Sequence, residues 1–203
     1  MDRIVVALEG LIHAGKTTLL HTLGQKLPWI VSVEEYSEFT RERFPSIPIT
    51  LVDVEKAWSF FLELESERQT GIAHDAIVVL LDRSVLSILA YNFAIEQLNK
   101  ALQAFSWSLK TLCCKDWLFP TVCIYLDISD KEIHNRHLTE ISYYQRILLD
   151  SVFNAAMRNF YSDKMLEHFP SLQVFRIDAC QDLKSVHHEA LCIIEALLKK
   201  VIK

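Results

Sequence analysis

The stretch Gly10-Leu11-Ile12-His13-Ala14-Gly15-Lys16-Thr17 fits the spacing G-x-x-x-x-G-K-S/T, directly behind the apolar run Ile4 to Leu8. A strand that ends in such a loop and turns into a helix aims successive backbone N–H groups, and the positive end of the helix dipole, at one anion. That anion is a polyphosphate. The expected cradle is Gly10, Leu11, Ile12, His13, Ala14, Gly15, Lys16, Thr17 and Thr18, with Lys16 on the terminal phosphates and the Thr17 hydroxyl in a Mg²⁺ shell. Gly10 and Gly15 let the backbone curl closely, and apolar residues resume at helical spacing after Lys16.

With 203 residues, 51% of them hydrophobic, the chain can fill one core, and a single domain over 1–203 is expected. The five cysteines are odd in number and show no C-x-x-C spacing, so they read as reduced, buried thiols. No basic stretch precedes a cleavable apolar segment, and no run is long enough to span a bilayer. A cytoplasmic protein without membrane contact is the expectation. The net charge of −5 argues against a general nucleic-acid binder. Eight histidines form no H-E-x-x-H, so no protein-held zinc is expected.

Five apolar, β-branched runs recur between helical segments: Ile4 to Leu8, Trp29 to Val33, Ala76 to Leu81, Thr121 to Leu126 and Leu172 to Ile177. This alternation predicts an α/β fold, a five-stranded parallel sheet flanked by helices on both faces. The helices are expected at Lys16 to Leu27, Val52 to Thr70, Val85 to Ala104, Lys131 to Arg136, Ser142 to His168 and Asp182 to Lys200. Pro45 and Pro48 break the periodicity between Tyr36 and Thr50, which reads as a substrate-side loop.

Ligands of such sheets sit at the carboxyl ends of the strands, so the residues just after each strand are the candidates. They are Glu9, the pair Glu34-Glu35, Asp82-Arg83-Ser84 and Asp127. Asp82 can hold a metal-bound water or order Lys16, and Arg83 can clamp a phosphate or orient a carboxylate; Asp82 and Ser84 would also serve as a plain helix start. One of Glu34 and Glu35 should point into the crevice as a base for a substrate hydroxyl, with Glu34 the first candidate. The polar segment 131–146 reads as a flap whose Arg136 or Arg146 could cover the transferring phosphate.

These motifs together resemble the thymidylate kinase and deoxynucleoside kinase group of phosphate-loop phosphotransferases, over nearly the whole length. E-G-L-I-H-A-G-K-T-T is similar to their glycine-rich loop, L-D-R-S-V-L-S-I-L-A-Y-N-F-A to their third-strand Asp/Glu-Arg motif, and I-Y-L-D-I-S-D to the strand before their lid. F-R-I-D-A is similar to the strand beside the adenine. The resemblance implies a phosphate-loop kinase-like fold, ATP and Mg²⁺. Thymidylate kinases usually carry an aspartate where Ile12 stands and a Tyr or His where Ser84 stands, so these positions favour a nucleoside acceptor. Among deoxynucleoside kinases the glutamate after the second strand is the base for the 5′-hydroxyl. Arg43-Phe44-Pro45 faintly resembles a thymidylate kinase loop, and the paired lid arginines of the nucleoside kinases are incomplete.

The expected function is transfer of the γ-phosphate of ATP to a nucleoside or nucleoside monophosphate. A homodimer is compatible with this reading. The rivals are an ATP- or GTP-binding regulatory module without small-molecule kinase activity and a binding scaffold without turnover. The absence of a guanine-reading N-K-x-D string disfavours GTP.

Overall fold

The structure is a computed structural model that describes residues 3–39, 44–112, 118–137 and 143–201. Five parallel strands form its sheet: β1 (Ile4–Gly10), β2 (Val31–Val33), β3 (Val78–Asp82), β4 (Val122–Asp127) and β5 (Gln173–Asp178), in the order β2-β3-β1-β4-β5. All seven residues of β1 and all five of β3 are buried, as expected of parallel strands covered on both faces. β1 follows one apolar run and meets partners on both sides, so the chain leaves it at the place where the strand order switches. β1, β3 and β4 extend one or two residues beyond the runs read from sequence. Glu9, Asp82 and Asp127 are thereby strand residues fixed by ladder hydrogen bonds.

The helices are α1 (Lys16–Lys26), α2 (Tyr36–Phe39), α3 (Leu51–Gln69), α4 (Val85–Leu98), α5 (Ala104–Leu112), α6 (Asp130–Arg136), α7 (Tyr143–Leu148), α8 (Ser151–Asn159), α9 (Met165–His168) and α10 (Leu183–Val201). The long helix expected from Val85 to Ala104 is divided. Asn99 is extended and its side chain accepts from Ala101 N–H, starting a 3₁₀ turn at Lys100–Leu102, while the Glu96 carboxylate takes the N–H groups of Phe105 and Ser106 and so caps α5. The helix expected from Ser142 to His168 is divided as well. Asp150 accepts from Val152 and Phe153 N–H and starts α8 anew, and Phe160–Lys164 forms a π-helical turn before α9. Local side-chain bonds outcompete the periodic pattern in both places. α2, inside the segment read as a loop, and α5 were not expected.

One cluster holds most of the core, between the sheet and the helices that flank it. Val5, Val33, Val79 and Leu81 form a smaller one. No described helix is long and apolar enough to cross a membrane.

Candidate active site

The loop after β1 requires left-handed backbone at three positions: Gly10 (φ 138°), His13 (φ 59°) and Gly15 (φ 90°). A Cβ on Gly10 would lie 2.5 Å from the carbonyl oxygen of Leu126, its partner on β4, so only glycine fits there. No side chain caps the start of α1 at Gly15, which leaves the first-turn N–H groups to a ligand. Leu11 and Ala14 are buried, Ile12 is half-buried and Thr18 is exposed.

Lys16 is buried and its Nζ donates to the Leu11 carbonyl at 2.6 Å. Burial first, and the nearby Arg83 guanidinium second, pull its pKa down to about 7. An ammonium held this way gains from any anion that enters the loop. Thr17 Oγ1 donates to Asp82 Oδ2 at 2.5 Å, and Asp82 is fully buried with Oδ1 left without a partner. A hydroxyl and a carboxylate with a spare acceptor fit a hydrated Mg²⁺, whose shell is otherwise water and phosphate oxygen. Among the described residues no group of three His, Cys, Asp or Glu could enclose a metal on its own.

Arg83 follows β3 in left-handed backbone (φ 63°), where a non-glycine residue is strained. Its Nε donates to Glu35 Oε1 at 2.6 Å and its Nη1 to the Gly10 carbonyl at 3.1 Å. Burial raises the Glu35 carboxyl, but Arg83 and Lys16 outweigh it and hold the group below its ordinary value. Glu35, not Glu34, therefore faces the crevice. Glu34 turns the other way, 3.7 Å from His21 on α1, and its side chain is partly exposed.

Two buried clamps hold this corner. Glu9 is fully buried: Oε1 accepts from the Ser84 N–H (2.9 Å) and hydroxyl (2.7 Å), and Oε2 from the Ser87 hydroxyl and Tyr161 (3.0 Å). Burial pushes its carboxyl up, and these donors with Arg83 offset only part of that. Tyr161 reaches Glu9 from the π-helical turn and stacks on Tyr125. On the opposite side, buried Arg68 of α3 donates to the carbonyls of Glu34 (2.9 Å), Asp82 (2.9 Å) and Arg83 (3.3 Å), pairs with buried Glu65 (2.6 Å) and lies 4.0 Å above the Tyr36 ring. Sequence reading missed Arg68 and Tyr161. For Arg68 a signal existed: Val54, Trp58, Glu65 and Arg68 share one helical face, so an acid and a base three apart fall on the buried side.

A cavity of about 690 Å³ opens beside Glu35 and Arg83. Tyr36, Phe44, Trp58, Phe61, Tyr91 and Met157 give it mostly apolar walls, with Leu11 and Ile12 at the phosphate-loop end. A second hollow, of about 680 Å³, lies at the carboxyl ends of β4 and β5 between Asp127, Ser129, Arg158, Arg176 and Cys180. Its cations are paired, Arg158 with Asp130 and Arg176 with Asp127.

The flap arginines differ. On α6, Arg136 turns its guanidinium to Glu132 (2.8 Å), the His13 carbonyl (3.2 Å) and the Ala179 carbonyl (2.7 Å), tying the flap to the phosphate loop and to the turn after β5. His13 Nε2 and His137 Nδ1 add a 3.0 Å contact there. Arg146 stands exposed on α7 and lines neither hollow. Residues 138–142 of the expected flap, and Arg43, lie outside the described residues.

A phosphate loop on the central strand of a parallel sheet, with Asp82-Arg83 closing the neighbouring strand, defines a phosphate-loop kinase-like fold. The deoxynucleoside kinase pattern matches residues 6–203, and the chain belongs to that family of kinases. The fold is similar to that of thymidylate kinase from Candida albicans, at TM-score 0.70 and 18% identity over 96% of this chain and 92% of that one. It is also similar to deoxyadenosine kinase from M. mycoides solved with dATP, at TM-score 0.64 and 18% identity over 98% and 100% of the two chains. No curated protein sequence matches significantly.

Proposed function

We propose that the chain moves the γ-phosphate of ATP to the primary hydroxyl of a nucleoside, with Glu35 as the base. The observation that carries this reading is the Arg83–Glu35 pair in the wall of the apolar cavity. Among the described residues lining that cavity, one cation faces one carboxylate, which leaves no surplus positive charge for a monophosphate dianion. A neutral hydroxyl suits the balance.

Glu35 accepts the hydroxyl proton as the oxygen attacks the γ-phosphorus, and ADP leaves along the opposite direction. Lys16 leaves the Leu11 carbonyl for the β/γ-phosphates, and the α1 N–H groups hold the same oxygens. Arg83 orients the Glu35 carboxylate and faces the charge that develops on the transferring group. Thr17, with Asp82 behind it, would hold Mg²⁺, which when bound neutralises phosphate charge. The base of the donor is assigned to the hollow beside β4 and β5, and the Arg136 bridge between His13 and Ala179 sets the spacing of its two walls.

Glu35→Gln should lower turnover by about a hundredfold with ATP affinity nearly unchanged, while Glu34→Gln stays within about threefold of the unmodified enzyme. The measurement is ADP release with saturating nucleoside. Near-normal turnover of Glu35→Gln would overturn the base assignment.

A further inference from the structure

Inside the cavity two buried asparagines are oriented by their own amide nitrogens. Asn92 on α4 is 4% exposed and Asn154 on α8 is 1% exposed, and both line the wall. Asn92 Nδ2 donates to Ser108 Oγ at 2.7 Å. That hydroxyl in turn donates to the Ala104 carbonyl (2.7 Å), and in this chain of bonds it accepts from Asn92. Asn154 Nδ2 donates to Asp130 Oδ1 at 3.2 Å. Asp130 is paired with Arg158, which holds its carboxyl below the ordinary value, so it only accepts. Flipping Asn154 would set its oxygen against the Asp130 carboxylate, and flipping Asn92 would cost Ser108 its bond to the Ala104 carbonyl.

Both amide oxygens are thus committed to the remaining direction. Neither takes a hydrogen bond from a described residue, and neither is among the sealed, unpartnered atoms of the interior, unlike Trp58 Nε1. The small area these residues expose opens into the cavity they line. The two helices pack together here, with the rings of Tyr91 and Phe153 in contact at 5.3 Å between centroids. Along α4, Asn92 stands five residues beyond Ser87, roughly 7.5 Å at the helical rise. Ser87 lies beside Arg83, so Asn92 meets the far end of an acceptor whose hydroxyl is at Glu35, and Asn154 lines the same cavity from the helix packed against α4.

We propose that Asn92 and Asn154 select a nucleoside whose base carries an exocyclic amino group. The inference rests on the nucleoside reading above. Two fixed carbonyl acceptors match the two hydrogens of an amino group, whereas a base with a carbonyl at that place sets oxygen against oxygen and leaves buried acceptors unmet. The aromatic walls take the faces of the ring and are indifferent to this choice. Tyr91, whose hydroxyl burial raises to about 12, stays neutral and adds no charge to the selection.

The test uses pairs that differ in the amino group: deoxyadenosine against the 6-unsubstituted purine deoxynucleoside, and deoxycytidine against deoxyuridine. In the unmodified enzyme kcat/KM should favour the amino-bearing member by at least about tenfold in each pair, with equilibrium binding in the same order. Asn92→Leu should lower both ratios by at least about threefold while Asn154 still takes one hydrogen, and the unmodified enzyme's ratios stand as a test even if that variant does not fold. Ratios near one, or reversed, with all four compounds phosphorylated would overturn the amino selection and leave the nucleoside reading intact. Binding or turnover of none of the four, in protein that binds ATP, would overturn both.

Discussion

At the scale of single residues, the site is dominated by charges held out of water, and Lys16 shows the consequence. Its native pKa of about 7 lies below the roughly 10.4 of an unfolded lysine. Between those values the unfolded chain binds the extra proton, so the unliganded protein gains stability as pH rises from about 7 towards 10. Lys16→Met should lose phosphate transfer and also flatten this part of the profile, read as denaturant midpoints at pH 7 and 9.5. Equal pH dependence in both proteins would contradict the buried lysine. Arg83→Lys keeps a charge but cannot hold Glu35 and the Gly10 carbonyl with one planar group, so turnover should fall at least about tenfold with ATP affinity little changed. A change confined to ATP affinity would move Arg83 to the donor side. The phosphate loop and Asp82-Arg83 were legible in the sequence because their chemistry depends on spacing. The choice between Glu34 and Glu35 was legible too, had the two-residue alternation been carried past β2. Ser32 approaches Gly24 and Glu34 approaches His21, both on α1, whereas Val33 and Glu35 turn to the opposite face.

At the scale of elements, the five strands were readable as apolar runs, while the helix breaks were not. Asn99, Glu96 and Asp150 act through individual hydrogen bonds to nearby N–H groups, which leave no mark on hydrophobic periodicity. The π-helical turn at Phe160–Lys164 is similarly silent, yet it carries the Tyr161 hydroxyl to Glu9. The junction of β1 with the phosphate loop makes a further prediction, because its glycines are needed for different reasons. Gly10→Ala meets both a left-handed backbone and the Leu126 carbonyl at 2.5 Å, across a ladder that cannot widen without breaking β1–β4 bonds. Gly15→Ala meets only the backbone strain, since nothing lies within 4 Å of its Cβ. Strain alone costs about 1–2 kcal/mol, so Gly10→Ala should be the more destabilising by at least about 1 kcal/mol in urea denaturation. Equal losses would mean that β4 moves aside at Gly10.

At the scale of the whole molecule, the strand order places β1 between β3 and β4, and no local pattern in the sequence reports that order. Arg68 is what makes the arrangement matter to chemistry, because one side chain on α3 holds the ends of two strands. It satisfies the carbonyls of Glu34 beyond β2 and of Asp82 and Arg83 at the end of β3. Arg68→Met would strand the buried Glu65 carboxylate, to which Gln69 also donates, and should cost about 3–5 kcal/mol of stability. Replacing the pair together, Glu65→Leu with Arg68→Met, removes the uncompensated charge and should regain much of that loss. Turnover should not return with it. The three carbonyls still lack their donor, so the backbone that sets Asp82, Arg83 and Glu35 is free to shift, and positional error of this kind is costly in rate. The double variant is therefore expected to approach the unmodified protein in denaturant midpoint while turning over at least about tenfold more slowly. Recovery of both would show that the Arg68 contacts fasten the strands without positioning the catalytic groups.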